Sequence, residues 1–399
     1  MQKLQPKRLE QLDSLRGIAA FTVLVGHFLL LFPAFWIATT TFSKQNWFIY
    51  LITFTPLHIF WCGTEAVVFF FVLSGFVLAL PFFDSTKTVS YTFFLIKRIF
   101  RLYPPYLSAV ILAVLVNVFL FRRGGCSGLS DWFNGIGEYP TSWSLVARHV
   151  LFLGSFNNCK FDPVLWSLVQ EMRISIMFPL LMCFVLNLSW KLNVLTGFFF
   201  GGLAIYLKHL ENKGYLNMTD YPDTLGYVGF FILGAVLAKN RNILVQRFRA
   251  LSRPAKHLLF WGAILAYTHN WWMTRSGLVG HGIIANWLSK EFIRNCGISL
   301  GVAIFMIAAL SSNSLTSFLA GRIPRFLGKI SYSLYLFHAV CLIALIDLFY
   351  NVMPIWFILL IAFMASIFVS FVSYHVVEVP AISVGKTLGN FWSRKVGKN

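Results

Sequence analysis

Charged residues are scarce in this sequence. Asp, Glu, Lys and Arg make up only 12% of 399 residues, while 58% are hydrophobic; soluble domains carry about 25% charged residues. With a mean hydropathy of +0.71, the chain has more apolar surface than a soluble fold could bury, which excludes the soluble globular class. Acidic residues are the rarer charge, 14 against 33 Lys and Arg. The six cysteines have no metal-ligand spacing. No glycine-rich phosphate loop and no His-x-x-x-His pair occurs, so neither a resident metal nor nucleotide hydrolysis is expected. There is no repeat of fixed period, no low-complexity linker, and no segment large or polar enough for a second domain.

What is present is a succession of long apolar runs. Runs of about 17 to 25 nearly charge-free residues, the length that crosses a bilayer, fall near 16–34, 63–82, 103–121, 167–187, 193–209, 224–238, 257–272, 291–310, 331–350 and 355–374. The expected fold is therefore all-α and integral to the membrane, with about ten transmembrane helices. Its domains are a membrane domain over 1–380 and a basic tail over 381–399. An even count puts both termini on one side. With the N-terminus inside, 22 of the 33 Lys and Arg fall in inner segments, so the positive-inside bias makes both termini cytosolic and the protein a multi-pass component of the plasma membrane. The net charge of +19 then reflects topology and contact with the lipid bilayer, and nucleic acid is not an expected partner. The first apolar run, about 18 residues with a His inside it, exceeds the usual h-region of a signal peptide and reads as a retained helix. Cys126 and Cys159 share the long outer loop from about 122 to 166 and could pair in an oxidising compartment. Most of the 43 phenylalanines are expected to face lipid and neighbouring helices.

Five groups of polar residues interrupt these runs. Arg16 and His27 are eleven residues apart; at about 100° per residue they share one helix face, ~16 Å apart along the axis, with the imidazole near mid-bilayer. An ionisable group at that depth is costly and usually functional. Glu65 opens the second span ahead of Phe69-Phe70-Phe71-Val72-Leu73-Ser74-Gly75-Phe76, where the Ser-Gly pair favours close helix packing. Arg98 and Arg101, three apart on the cytosolic side, could grip phosphates, although basic residues there also serve as topology anchors. Trp166-Ser167-Leu168 leads to Glu171, an intramembrane carboxylate about five residues in from the expected outer boundary, with Arg173 close behind. His338, ~14 Å above Lys329 on the ninth span, should lie at about the depth of His27. His58, His149, His209, His269 and His281 fall in outer loops or helix ends and His257 at an inner one. His375 and Glu378 are expected to end the last helix at the cytosolic surface.

In order and spacing these residues resemble the membrane acyltransferase-3 family, the bacterial O-acyltransferases of surface glycans. The resemblance runs through Leu12-Asp13-Ser14-Leu15-Arg16-Gly17 with His27, the Phe69 to Phe76 run, Arg98-x-x-Arg101 with Tyr103-Pro104, Trp166-Ser167-Leu168 with Glu171 and Pro179, Ser331-Tyr332-Ser333-Leu334-Tyr335-Leu336 with His338, and Glu378-x-Pro380. One departure is Glu65, where the family usually has Asp. Another is the absence of an appended esterase-like domain, so transfer is expected to be completed by the membrane domain or a separate partner. The resemblance implies an acyl-CoA donor, acetyl-CoA foremost, on the cytosolic side and a hydroxyl acceptor on a glycan or lipid-linked saccharide outside, across a bacterial inner membrane. It implies that Arg16, Arg98 and Arg101 bind the CoA phosphates, that His27, Glu171 and His338 are catalytic, and that Glu65 and Trp166 contact substrate. His27 would act as general base on the acceptor or as a nucleophile forming an acyl-imidazole. A transporter or flippase with a His/Glu relay is the rival reading. Arginines aligned below a mid-membrane His separate the two, since a transporter has no need of a phosphate clamp there.

Overall fold

A computed structural model describes residues 9–43, 46–83, 89–120, 125–136, 142–151, 161–215, 220–273 and 283–396, with backbone alone for 283–290 and 393–396. In chain order the helices are α1 (Glu10–Leu30), α2 (Pro33–Thr41), α3 (Trp47–Thr53), α4 (Gly63–Ala79), α5 (Tyr91–Phe119), α6 (Asp131–Asn134), α7 (Trp143–Leu151) and α8 (Leu165–Asn187). They continue with α9 (Trp190–Asn212), α10 (Tyr221–Ala250), α11 (Arg253–Met273), α12 (Ile283–Ser311), α13 (Asn313–Leu319), α14 (Arg322–Phe349), α15 (Ile355–Ser373) and α16 (Val379–Val396). No strand occurs among the described residues, so the all-α expectation holds.

Each of the ten apolar segments contains a helix, but among the described residues nine helices are long and apolar enough to span a membrane. The exception is α11, in which Arg253, Lys256 and His257 at one end and Thr268, His269 and Asn270 at the other dilute the apolar stretch. Large side chains such as Leu115, Phe184, Leu195 and Phe368 are exposed on the outer faces of α5, α8, α9 and α15, as a lipid-facing bundle requires.

Two boundaries differ from expectation in ways that matter. The basic stretch around Arg98 lies inside α5 rather than before it, because α5 begins at Tyr91. The last helix does not end at His375 and Glu378: after one π-turn over Tyr374–Glu378 the chain continues as α16, packed along α5 with Gly385 against Phe100 and Gly389 against Phe93. Pro380 has no N–H to donate and its ring would crowd a carbonyl one turn back, so the wider turn accommodates it without ending the helix. Glu378 is buried at that turn, where Ser333 Oγ donates to Oε2 at 3.0 Å.

Glycine contacts fix the centre of the bundle. A Cβ at Gly17 would fall onto the backbone nitrogen of Gly328, and one at Gly328 would sit 2.7 Å from the Asp13 carbonyl oxygen. The backbones of α1 and α14 therefore touch, and Ser14 Oγ donates to the Leu319 carbonyl at 2.8 Å beside the contact. Asp13 and Gly17 meet Gly328 as His27 meets His338 further along, so the two helices run parallel. A second close crossing joins α4 to α10, with Gly75 on Phe231 and Gly234 on Val72. The packing role expected of Ser74-Gly75 is thus realised by the glycine. Beyond α1, Ser130 meets the terminal carbonyls of that helix: its N–H donates to Leu31 O at 2.9 Å and its Oγ to Leu30 O at 2.6 Å. These bonds pin the short α6 across the C-terminal end of α1.

Gly328→Val should force α1 and α14 apart and destabilise the fold by roughly 1 to 3 kcal/mol or more, the range for overpacking a filled site. The thermal midpoint of the detergent-purified protein measures this, and an unchanged midpoint would contradict the contact.

Candidate active site

Side chains from α1, α4, α5, α8 and α14 line a cavity inside the bundle. Arg16, Ser74, Arg98, Arg101, Ser167, Glu171, Ser331, Tyr332 and Tyr335 supply its polar wall, and Val67, Phe70, Phe71, Leu102 and Leu168 the apolar remainder. The structure thus brings together the three arginines and the carboxylate that the sequence singled out. Their assignments differ from expectation. Arg98 is buried and forms an ion pair with Glu171 through Nη2, while its Nε donates to Ser175 Oγ at 2.9 Å. Ser74 Oγ donates to the same Glu171 oxygen at 2.7 Å. Arg98 is therefore held by protein, and the cations left facing the cavity are Arg101 and Arg16. Arg101 has no carboxylate partner among the described residues, and Arg16 has only Asp13 at 4.0 Å.

Glu171 does not lie toward the opposite pole from the arginines, where counting from the start of its span put it. The residues ahead of α8 are already inside the protein, with Phe161 at 3%, Asp162 at 0% and Val164 at 1% exposure, so the helix begins within the bundle and not at its edge. Arg173 turns the other way, to Asp220 at 3.0 Å and Thr224 at 3.3 Å. Glu171 and Arg173 thus each find a partner on another helix and do not neutralise one another.

Tyr335, in the wall of the cavity, stands between it and the histidines. Its hydroxyl is 2.8 Å from Ser167 Oγ, and its ring is 6.2 Å from that of His338, less than one turn further along α14. His338 is fully buried, His27 partly so. His27 Nδ1 is 2.8 Å from His338 Nε2, and His338 Nδ1 is 2.8 Å from the Leu334 carbonyl oxygen. The matching depth expected for the two imidazoles is a direct contact.

On its other side His27 stacks with the indole of Trp132, centroids 5.2 Å apart and planes 23° from parallel. Trp132 comes from α6, in a loop whose sequence carries no recognisable motif. The one available signal was Ser130, an N-cap residue two positions earlier whose Oγ accepts from Phe133 N–H at 3.3 Å.

Two expected substrate contacts lie outside the cavity. Glu65 is 1% exposed, and its Oε1 accepts from Trp271 Nε1 at 2.8 Å. That indole also stacks on His58, which packs against Trp61 as well. His58 is therefore buried although it lies between spans, and burial pushes its pKa down to about 3, holding the ring neutral. Trp166 packs against Tyr227 with ring centroids 5.7 Å apart while its neighbour Ser167 faces the cavity. His149 and His269 are likewise buried. Cys126 is buried in the apolar cluster beyond α1; Cys159 and His281 lie outside the described residues. Among the described residues no group of three or more His, Cys, Asp and Glu could hold a metal ion.

A model of the acyltransferase-3 family, described as an acyltransferase domain, matches residues 9–375. The O-acetyltransferases OatA of Staphylococcus aureus strains COL and MW2 are each 24% identical over 414 residues, covering 98% of this chain and 60% of the relative. The chain thus spans about 60% of the length of the curated relatives it matches. No solved structure matches it.

Two outcomes follow from the electrostatics of the site. Removing one partner of the buried Arg98–Glu171 pair should cost about 3 to 5 kcal/mol, so Glu171→Gln should lower the thermal midpoint strongly. Glu171→Gln combined with Arg98→Gln should recover part of that loss, and additive losses would argue against the pair. Asp162, whose Oδ1 accepts from Val164 N–H at 3.1 Å just before α8, has its pKa raised from 3.8 to about 8 by burial. The folded chain then keeps a proton that the unfolded chain gives up, so this contribution to stability is complete below pH 3.8 and is lost as pH rises through about 8. Asp162→Asn should flatten the fall of the thermal midpoint across that window, and an unaltered slope would assign it to other groups.

Proposed function

The chain belongs to the membrane acyltransferase-3 family, and from that premise we propose that it moves an acyl group, acetyl foremost, from cytosolic acyl-CoA to a hydroxyl of an extracytoplasmic glycan or lipid-linked saccharide. Membrane O-acyl transfer itself agrees with the relatives named O-acetyltransferase. Donor and acceptor rest on the site. The observation that carries them is a cation-lined cavity ending less than one turn from the paired histidines. Arg101 and Arg16 offer planar, permanently charged forks of the kind that bind phosphate. Arg98, tied to Glu171, fixes the wall beside them and adds to the positive potential. The extended pantetheine arm would run past Ser167 and Tyr335, carrying the thioester toward His27, some 16 Å along α1 from Arg16. In this reading Glu171 is a positioning residue that holds Arg98.

His27 acts as the general base on the acceptor hydroxyl. The acceptor approaches from the end of α1 covered by Trp132, whose ring offers a flat apolar surface to a sugar. The basic bias of the segments toward the arginine end supports a cytosolic assignment of that side, and with α11 counted as the tenth crossing both termini lie there. The protein is a multi-pass component of the plasma membrane, in a bacterial cell the inner membrane. The transporter reading is not favoured, because it assigns no task to cavity-lining arginines aligned with a histidine pair.

In proteoliposomes given labelled acetyl-CoA and an extract of surface glycan, the wild-type chain should label the glycan and His27→Ala should not, while inserting and purifying normally. Labelling by that variant at the wild-type rate would remove His27 from the mechanism. Arg101→Gln should raise the Michaelis constant for acetyl-CoA roughly tenfold with kcat largely kept, the effect of one lost charge-assisted hydrogen bond of about 1.5 kcal/mol; an unchanged constant would make Arg101 a topology anchor.

A further inference from the structure

The contact between His27 and His338 has a direction. The Leu334 carbonyl can only accept, so His338 Nδ1, 2.8 Å from it, carries the proton. His338 is fully buried and has no carboxylate bonded to it among the described residues. A cation there would lack compensation, which favours the neutral ring. Neutral His338 with a proton on Nδ1 has a lone pair on Nε2, and among the described residues the group offered to that lone pair is His27 Nδ1, 2.8 Å away. The ring centroids are 5.0 Å apart with planes 13° from parallel, the separation expected of two rings in line across such a contact, so the bond lies close to both ring planes.

Resting on the acyl-transfer reading above, we propose that His338 is the positioning residue that fixes the tautomer of His27: it holds the proton on His27 Nδ1, leaves Nε2 as the basic atom facing the substrates, and accepts the hydrogen bond of the imidazolium that forms. In the step this serves, the acceptor hydroxyl proton passes to His27 Nε2 as its oxygen bonds the thioester carbonyl carbon. The carbon–sulfur bond then breaks, the sulfur leaves with that proton as thiol, and His27 returns to its starting tautomer. His338 moves no atom in the net reaction. Its place is that of the carboxylate behind the histidine of a serine hydrolase, filled by a neutral group.

The polarity separates two substitutions that otherwise look alike. The side-chain oxygen introduced by His338→Gln falls near the original Nε2 and can accept from His27 Nδ1. The amide of His338→Asn falls near the original Nδ1: it can bond Leu334 but leaves His27 without its acceptor. In proteoliposomes with labelled acetyl-CoA, His338→Asn should lose about 10²- to 10⁴-fold in kcat, the usual share of positioned acid–base catalysis. His338→Gln should keep at least tenfold more than His338→Asn, and the Michaelis constant for acetyl-CoA should stay within about twofold in both, since neither substitution touches the arginines. Equal kcat values, or a higher one for His338→Asn, would overturn the proposal, as a filler of space has no such preference.

A second measurement needs no acyl transfer. Diethyl pyrocarbonate modifies an imidazole nitrogen that bears a free lone pair, so peptide mass spectrometry of the treated wild-type protein should find His27 carbethoxylated and His338 not, with both modified after denaturation. A folded protein with unmodified His27 would overturn the assignment. If the wild-type chain transfers no acyl group yet shows this labelling, the functional reading fails and the tautomer assignment stands.

Discussion

The contact of Gly17 with Gly328 sets the level of everything above it. Two helices whose backbones touch cannot slide without a clash, so this point fixes the register of α1 against α14. His27 is ten residues beyond Gly17 and His338 ten residues beyond Gly328. Equal spacing on parallel helices carries both imidazoles to one height and brings their nitrogens within 2.8 Å. The same register puts Arg16 beside Gly17 and Ser331, Tyr332 and Tyr335 just beyond Gly328, so one wall of the cavity and the histidine pair are measured from a single crossing. A bilayer offers little hydrophobic force to press helices together, and close approach of small residues with a serine bond beside it, as from Ser14 to Leu319, does that work.

Charge inside the bundle follows a second constraint. Two carboxylates face arginines from other parts of the bundle: Glu171 meets Arg98, and Asp220 meets Arg173. An ion pair of this kind tolerates burial because each partner offsets the desolvation of the other, and it resists separation for the same reason. The Arg98 pair also ties α5 to α8, and Ser74 adds α4 by bonding the same carboxylate. With that carboxylate engaged by Arg98, Arg101 and Arg16 leave the cavity with an excess of positive charge. A cavity built this way selects an anion before any shape is considered.

Much of this was legible in the sequence, and the remainder was hidden for identifiable reasons. The shared face of Arg16 and His27 follows from helical period alone, and the common depth of His27 and His338 follows from counting along two spans. Counting failed for Glu171 because it assumes that a span starts at the membrane edge, whereas the chain is buried from Phe161 onward. It also could not choose between partners: Glu171 and Arg173 are two residues apart and point to different helices, a fact that belongs to the packing of α5 and α10 around α8. Trp132 was out of reach because a residue in a loop reveals its target only once the loop is folded. The continuation past Glu378 was masked by Pro380, which reads as a helix end unless a π-turn makes room for it. Relative positions on one helix, or on two helices in register, could be read from period and spacing; depth from an assumed span edge and the choice of neighbour could not.

The choice of a histidine, not a carboxylate, behind His27 is consistent with the same economy of charge. An aspartate at the position of His338 would be fully buried, with buried apolar neighbours on α14 in Leu334, Phe337 and Ala339 and with Arg16 about three turns away along α1 from His27. Without a cation it would be expensive to ionise, and protonated it would compete to donate and not accept. An imidazole held by the Leu334 carbonyl presents an acceptor while neutral, so it orients His27 at no cost in buried charge. The arrangement lends less stabilisation to an imidazolium than a carboxylate would, and that suits a base whose proton must return to the departing thiol within the same turnover. In the proposed transfer the site would divide its tasks along the axis of α1: fixed positive charge at Arg16 and Arg101 to hold an anion, and neutral, oriented dipoles at His338 and His27 to move a proton.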